Sequence, residues 1–479
     1  MRILNFILGC LGCLSFTCFA DTSRIKVVQD YLQDLEKRGV FSGYVSIETS
    51  ENSWEHGYGY RHGPSGEAPD ADSLFKIGSM TKLFTGFAIL NLADQHKLSL
   101  DDPIAKFFPN IKESSLEYQG EVLRIRHLLT HTSGLPDVTT FSYHWGSPVG
   151  VGYFLGLLDI FGLRSKPGEV YDYCNFNYFL LGEIISRLSG LSYIDYMEST
   201  YFKPLGLNSI SMGFPDEADK AYGHHFIFDK SIPAEDVYSI VSFKTYDWPS
   251  ASDGGLVSSV TDLKKWFKLF GEGGLVKVDA FDRNLVSFRY FAGIKNIGSG
   301  DDIVYWHNGM LSPIGYNSDF VMDKKGSLII VLGNMDAGME PQNIARHIYE
   351  YLESGDSSTL PAFAEDIKIQ PMMFYTYSKI QLDILCCLLS CIVLFRRRAD
   401  SHFTVLTFAF FATIFLFNSF SLPSTKSVAV ISAAVLYWIF IALWRRKHPQ
   451  AIKAEKLAFG RLVAPVISLL LALVIFNLT

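Results

Sequence analysis

Hydrophobic and polar positions follow two rhythms along the chain. Between residues 21 and about 362 they interleave at the short periods of packed secondary structure. Residues 43–49 alternate as a strand does, and 83–93 run apolar as a buried helix does. Residues 177–188 carry the stripe of an amphipathic helix ended by Gly190, and 327–332 form an apolar strand before Gly333-Asn334. This mixture predicts one soluble domain of mixed α/β character over 21–362, with no internal repeat. After a linker at 363–379 the apolar positions fuse into four long stretches, 380–395, 403–422, 428–444 and 462–478. Each approaches the roughly 20 residues that cross a bilayer. The first is the weakest, with Asp383 near its start. Too little polar chain surrounds these stretches for them to be core helices of a further globular domain.

The first twenty residues have a pattern of their own. Met1-Arg2 gives a short positive start, residues 3–16 are apolar, and Cys18-Phe19-Ala20 precedes Asp21 with small residues where a signal peptidase looks. Residues 1–20 therefore read as a secretory signal, the alternative being an uncleaved anchor. Basic residues fix an orientation. Arg396, Arg397 and Arg398 follow the first stretch, and Arg445, Arg446, Lys447, Lys453 and Lys456 lie between the third and fourth. By the positive-inside bias both loops face the cytoplasm, which puts everything before residue 380 outside. Signal and charge bias predict the same topology: an integral membrane protein with its soluble domain on the extracytoplasmic side.

Composition narrows the partners. The net charge is −7 and no basic run precedes the C-terminal region, which excludes a nucleic-acid partner. Cys10, Cys13 and Cys18 lie in the leader, and Cys386, Cys387 and Cys391 in the first apolar stretch. Cys174 alone remains in the soluble part, so that domain has no intramolecular disulfide and must rely on a large core.

The chemistry begins with serine. Attack on an acyl carbon needs a base within hydrogen-bond reach of the hydroxyl, and residues three apart on a helix share a face. Ser-x-x-Lys occurs at Ser23–Lys26, Ser73–Lys76 and Ser79–Lys82. The first follows the expected cleavage site and the second reads as extended. Only Ser79-Met80-Thr81-Lys82 follows a glycine and opens the apolar helix. There the Lys82 amine would be partly desolvated, which lowers its pKa and suits it to act as a base.

Phe75-Lys76-Ile77-Gly78-Ser79-Met80-Thr81-Lys82 strongly resembles the nucleophile segment of the serine β-lactamase-related family of class C type, to which penicillin-binding-protein-like hydrolases belong. Leu98-Ser99-Leu100-Asp101-Asp102-Pro103-Ile104 looks like the segment that follows it there, and Ile125–Leu135 is similar to a further signature of the family. The resemblance covers roughly residues 25–350. It implies an α+β sandwich, an antiparallel sheet flanked by helices with a helical subdomain, and two-step acyl transfer through Ser79. The second family motif, Tyr-x-Asn, matches Tyr173-Cys174-Asn175, the one such triplet in the chain. Tyr173 would exchange protons with Ser79 and the leaving group, and Asn175 would orient substrate and Lys82. The third motif, Lys-Thr/Ser-Gly, is matched best by His307-Asn308-Gly309. Gly309 would let the strand approach substrate, and the Met310 and Ser79 N–H groups would form an oxyanion hole.

The family also uses His-x-Gly at this place, and Gly315-Tyr316-Asn317-Ser318 follows as the resemblance implies, but the motif departs from the Lys form. A permanent cation is replaced by His307, mostly neutral at pH 7 and expected to gain a proton below about pH 6 if its pKa is ordinary. That weakens the anchor for a substrate carboxylate and favours a peptidase, esterase or amidase over a true β-lactamase. His127 and His131 are four apart, but no third ligand sits at a metal-site spacing, so packing and turn roles are expected. His224-His225 reads as loop surface. The resemblance implies no metal and no cofactor, and the expected partner is a small-molecule or peptide substrate. The competing class is a non-catalytic binding or sensor module coupled to the membrane region.

Overall fold

The computed structural model describes residues 23–361, apart from 51, 64–65, 137–150, 215–218, 228–229, 234–250, 272–288, 299, 312–313 and 337–342. The chain divides into two units, residues 1–370 and 371–479, and every described residue lies in the first. The expected leader, linker and four apolar stretches fall outside the described residues. Among the described residues no helix is long and apolar enough to cross a membrane.

In chain order the elements begin with helix α1 (23–37), strands β1 (Gly43–Glu48), β2 (Ser53–Tyr58) and β3 (Phe75–Lys76), and helix α2 (Thr81–Asp94). A helical stretch follows, in which a small hairpin of β4 (Glu117–Tyr118) and β5 (Glu121–Val122) precedes α3 (Ile125–Leu129), α4 (Val151–Phe161), α5 (Asn175–Ser189) and α6 (Tyr193–Met197). Then come β6 (Ser211–Met212), β7 (His224–Ile227), β8 (Lys230–Pro233), β9 (Leu256–Ser258) and α7 (Val260–Gly271). Strands β10 (Tyr290–Phe291), β11 (Ile294–Ile297), β12 (Val304–Leu311), β13 (Tyr316–Asp323), β14 (Leu328–Gly333) and β15 (Met335–Asp336) and helix α8 (Ile344–Ser354) complete the domain.

The main sheet runs β10-β11-β12-β13-β14-β1-β2, with every neighbouring pair antiparallel. Its central strands are apolar on both faces because both faces are covered. Ile329 and Val331 of β14 join Val45 and Ile47 of β1 in one buried cluster, with Val28, Leu32 and Leu35 of α1 and Ile344 and Ile348 of α8. The alternate residues Ile330 and Leu332 face the other way, into a larger cluster with Phe84, Phe87 and Ile89 of α2, Leu180 and Ile184 of α5 and Trp266 of α7. The two-residue period of the strands thus sorts side chains between two helical layers.

Helix α2 is apolar all round, and residues Thr81 through Leu90 are buried without a break, as expected of a helix in the middle of a core. Element bounds moved little from expectation. Helix α5 starts at Asn175 and ends on the left-handed Gly190, because the carbonyl of Ser186 is satisfied by the Gly190 N–H. Ser73–Lys76 is extended as expected, its last two residues forming β3. His224 is not loop surface but a fully buried residue of β7, its ring edge-on to Tyr60 at 4.9 Å.

Candidate active site

Ser79 lies in a 3-10 turn, Gly78–Met80, that feeds directly into α2. Gly78 has φ +51°, the left-handed conformation in which a side chain is strained. This reversal presents Ser79 at the head of the helix while Ile77 and Met80 on either side stay buried. The turn is held from two directions. Ile77 N–H donates to the Leu256 carbonyl of β9 at 3.0 Å, and the Ile77 carbonyl accepts from Ser318 Oγ of β13 at 2.8 Å. Gly309 of β12 packs so closely on that carbonyl that a Cβ there would overlap it. Glycine is therefore needed at 309 for the nucleophile turn to dock on the strand. The same docking brings the Met310 nitrogen beside Gly78, 3.0 Å from where a Gly78 Cβ would sit.

Lys82, the second residue of α2 and one turn on from Ser79, is completely buried. Its Nζ lies 3.1 Å from Ser79 Oγ, 2.8 Å from Asn175 Oδ1 and 2.5 Å from the Asp253 carbonyl oxygen. The amine also sits over the Tyr173 ring, 5.1 Å from its centroid, and over the Tyr178 ring at 5.7 Å. Ser79, Lys82, Tyr173 and Asn175, separated by up to 96 positions in sequence, thus share one site.

The loop that carries Tyr173 is stitched to the turn after α3. Arg164 N–H donates to Gly134 O at 2.7 Å, Gly168 N–H to Thr132 O at 2.7 Å and Asp172 N–H to His131 O at 2.8 Å. His131 is the centre of this seam. Its Nδ1 accepts from the Cys174 N–H at 3.2 Å and lies 2.9 Å from Asn177 Nδ2, so the ring proton resides on Nε2. The imidazole lies against the Tyr173 ring at 4.3 Å between centroids and against Tyr290 at 4.5 Å. Burial first, then the Lys82 and Lys295 cations, holds its pKa well below the ordinary imidazole value, so the ring is neutral. Its partner in the expected pair, His127, accepts the Arg124 N–H at 3.2 Å and closes the start of α3. Among the described residues no group of three or more His, Cys, Asp or Glu side chains is placed to hold a metal ion.

His307 requires a correction. It is 1% exposed. Its Nδ1 lies 2.6 Å from the Asn308 carbonyl, which can only accept, and its Nε2 lies 3.2 Å from the Tyr290 hydroxyl. The neutral tautomer with the proton on Nδ1 satisfies both. Burial first, then the cations of Lys295 and Lys82, hold its pKa well below the ordinary value. The ring does not gain a proton near pH 6. It sits as a neutral wall 6.3 Å from the Tyr173 ring.

Sequence reasoning did not single out Tyr290, Asp253 or Lys295. Tyr290 is fully enclosed and bridges His131 and His307. Asp253 contributes its backbone carbonyl, which no side-chain pattern reveals. Lys295 of β11 donates to Asn308 Oδ1 at 3.0 Å. His131 had a signal, since it lies within the stretch that resembles a family signature.

A family model described as Beta-lactamase matches residues 27–332, more than half of the chain. The chain belongs to the beta-lactamase family. Among its relatives, "Protein flp" of Staphylococcus aureus (strain N315) is 28% identical over 324 residues, 66% of this chain and 63% of that protein. The chain therefore spans somewhat under two thirds of that relative's length. Among solved structures, the octameric penicillin-binding protein homologue from Pyrococcus abyssi matches with TM-score 0.55 and 25% identity, covering 74% of this chain and 82% of that one. The D-amino acid amidase from Ochrobactrum anthropi SV3, complexed with D-phenylalanine, matches with TM-score 0.56 and 20% identity, covering 70% of this chain and all of its own, a likeness of fold. The beta-lactamase-family match ends at β14, so α8 lies beyond it.

Proposed function

We propose that this protein is an exported, membrane-anchored hydrolase that cleaves amides or esters through an acyl-enzyme on Ser79. The observation that carries this reading is the buried contact of 3.1 Å between Lys82 Nζ and Ser79 Oγ, inside an amine site completed by Asn175 and the Asp253 carbonyl. A serine without such a neighbour is a weak nucleophile. Here the Ser79 proton passes to Lys82 as Oγ bonds to the substrate carbonyl carbon. The resulting oxyanion would take hydrogen bonds from the N–H groups of Ser79 and Met310, a reading supported by the Met310 nitrogen lying beside Gly78. The proton then moves by way of Tyr173 to the leaving nitrogen or oxygen, and its bond to the acyl carbon breaks. Water repeats the sequence on the Ser79 ester and releases the acid. His131 and His307, both neutral, flank the Tyr173 ring and fix its position.

The substrate is a peptide, a small amide or an ester in preference to a penicillin, because neutral His307 stands where the family carries a lysine. The likeness of fold to a D-amino acid amidase is consistent with small amides. Export and anchoring rest on the leader at 1–20, the four apolar stretches and the basic loops at 396–398 and 445–456. A fluorophosphonate probe tests the chemistry: it should label the wild-type protein and fail to label Ser79→Ala. A protein that stays unlabelled while retaining its fold would favour the sensor class instead.

A further inference from the structure

A general acid helps only where its proton is held beside the departing group. Tyr173 stands on a loop, not on a helix or strand, so its ring must be held by what packs against it. Two imidazoles do so, His131 at 4.3 Å and His307 at 6.3 Å between centroids. They come from separate places, the turn after α3 and strand β12. One side chain joins them. Tyr290 of β10 has its hydroxyl 3.2 Å from His307 Nε2 and its ring edge-on to His131 at 4.5 Å and to Tyr173 at 6.2 Å.

The direction of the hydrogen bond is determined. His307 Nδ1 carries the ring proton, because it faces the Asn308 carbonyl at 2.6 Å. Nε2 therefore offers a lone pair, and the Tyr290 hydroxyl donates to it. Burial pushes the Tyr290 pKa well above the ordinary phenol value, so this donor keeps its proton at any working pH. The donation fixes both the tautomer and the plane of His307.

The backbone under Tyr290 is held firmly. Strands β10 and β11 join through Ala292-Gly293, and both turn residues have positive φ, +50° and +85°. That conformation strains an alanine, and its surroundings hold it there. Ala292 is buried, and its N–H donates to the Leu129 carbonyl at the end of α3 at 3.1 Å. A Cβ on Gly86 of α2 would overlap the Ala292 carbonyl, and one on Gly293 would overlap the Lys82 carbonyl. The hairpin is thus seated on the helix of the base and on the end of the helix before His131.

We infer that Tyr290 is a positioning residue for proton delivery to the leaving group: its hydroxyl locks His307, its ring backs His131, and the two imidazoles hold Tyr173 in place. The inference rests on the Ser79 hydrolase reading and its proton path through Tyr173. Tyr290 is itself enclosed and acts through these neighbours. Losing its hydroxyl leaves nucleophile and base where they are and loosens the acid.

Two esters of one acyl group test this: a nitrophenyl ester, whose phenolate leaves without a proton, and a methyl ester, whose alkoxide needs one. The readout is the ratio of kcat/KM, methyl over nitrophenyl. Both values report acylation, and differences in folded fraction cancel. Tyr290→Phe keeps the ring and the packing but not the hydroxyl, and its ratio should fall by about tenfold, a part of what general acid help supplies. Tyr290→Leu loses the ring as well, and its ratio should fall further. Tyr173→Phe has no acid to place, so adding Tyr290→Phe to it should lower the ratio no more. An unchanged ratio in Tyr290→Phe, with both esters losing equally, overturns the inference and leaves Tyr290 a core tyrosine. A second full drop in the Tyr173→Phe background also overturns it, because Tyr290 would then act elsewhere. A Tyr290→Leu ratio equal to that of Tyr290→Phe overturns the role given to the ring. Failure of the parent reading looks different: Ser79 carries no acyl group from either ester, or Tyr173→Phe keeps the wild-type ratio, and the inference falls with it.

Discussion

Lys82 Nζ has three polar neighbours, Ser79 Oγ, Asn175 Oδ1 and the Asp253 carbonyl: the two carbonyl oxygens can take the two hydrogens of the neutral amine, which leaves its lone pair for the Ser79 proton. That arrangement fixes the amine beside the nucleophile and under the Tyr173 ring. Lys82→Ala and Tyr173→Phe should each lower turnover by about a hundredfold or more, the usual scale of general acid–base help. The two act on the same proton, so the double variant should lose less than the product of the single losses. Fully multiplicative losses in kcat would argue against a shared proton path. His131 makes a different prediction. His131→Leu leaves the Cys174 N–H and the Asn177 amide without their buried acceptor, at about 1–3 kcal/mol of stability, and frees the loop that carries Tyr173. Denaturant titration should show the stability loss, and turnover should fall further than the lost folded fraction explains. A variant with native stability would show that the seam does not depend on the imidazole. The four residues of the first two motifs were legible from the chain because each comes with a short local context. His131's role was not, since its partners lie 43 and 46 positions away. His307 misled because alternation on β12 tells which face a residue takes, not that Tyr290 from another strand closes over it.

Helices and strands were the most readable level. Continuous apolar sequence marked α2, and Gly190 marked the end of α5, because those features depend on near neighbours. The docking of α8 is a longer-range matter with a pH signature. Asp319 of β13 is buried beneath the start of that helix, where its Oδ2 accepts the Ala345 N–H at 2.8 Å. Burial pushes its pKa up to about 7, although the Ala345 and Arg346 N–H groups and the Arg346 charge pull it down. In the unfolded chain an aspartate titrates at about 3.9. The folded state therefore holds the proton more tightly, and this contribution to stability is fully present below about pH 4 and lost as pH rises toward 7. Tm measured between pH 4 and 7 should carry this downward component, and Asp319→Asn, which has no charge to lose, should remove it. An identical pH slope in the variant would show that Asp319 does not titrate in that window.

For the molecule as a whole, the sequence supported a domain and a membrane region by independent signals. The sheet with helices on both faces follows from strands that are apolar on alternate sides. The sheet order could not be read, because β1 pairs with β14 nearly three hundred positions away through contacts that any apolar strand could make. The proposed membrane topology makes its own prediction: a reporter fused after Gly355 should be active only outside the cytoplasm, and one fused after Asp400 only inside. A cytoplasmic signal from the first fusion would refute the orientation. The central claim, covalent catalysis by Ser79, has a more direct test. The protein is incubated with a slowly deacylated ester, its intact mass is taken, and the modified peptide is mapped. The account predicts a mass increase equal to the acyl group, located on Ser79 and missing from Ser79→Ala. An adduct of the same size on the folded Ser79→Ala protein would contradict it.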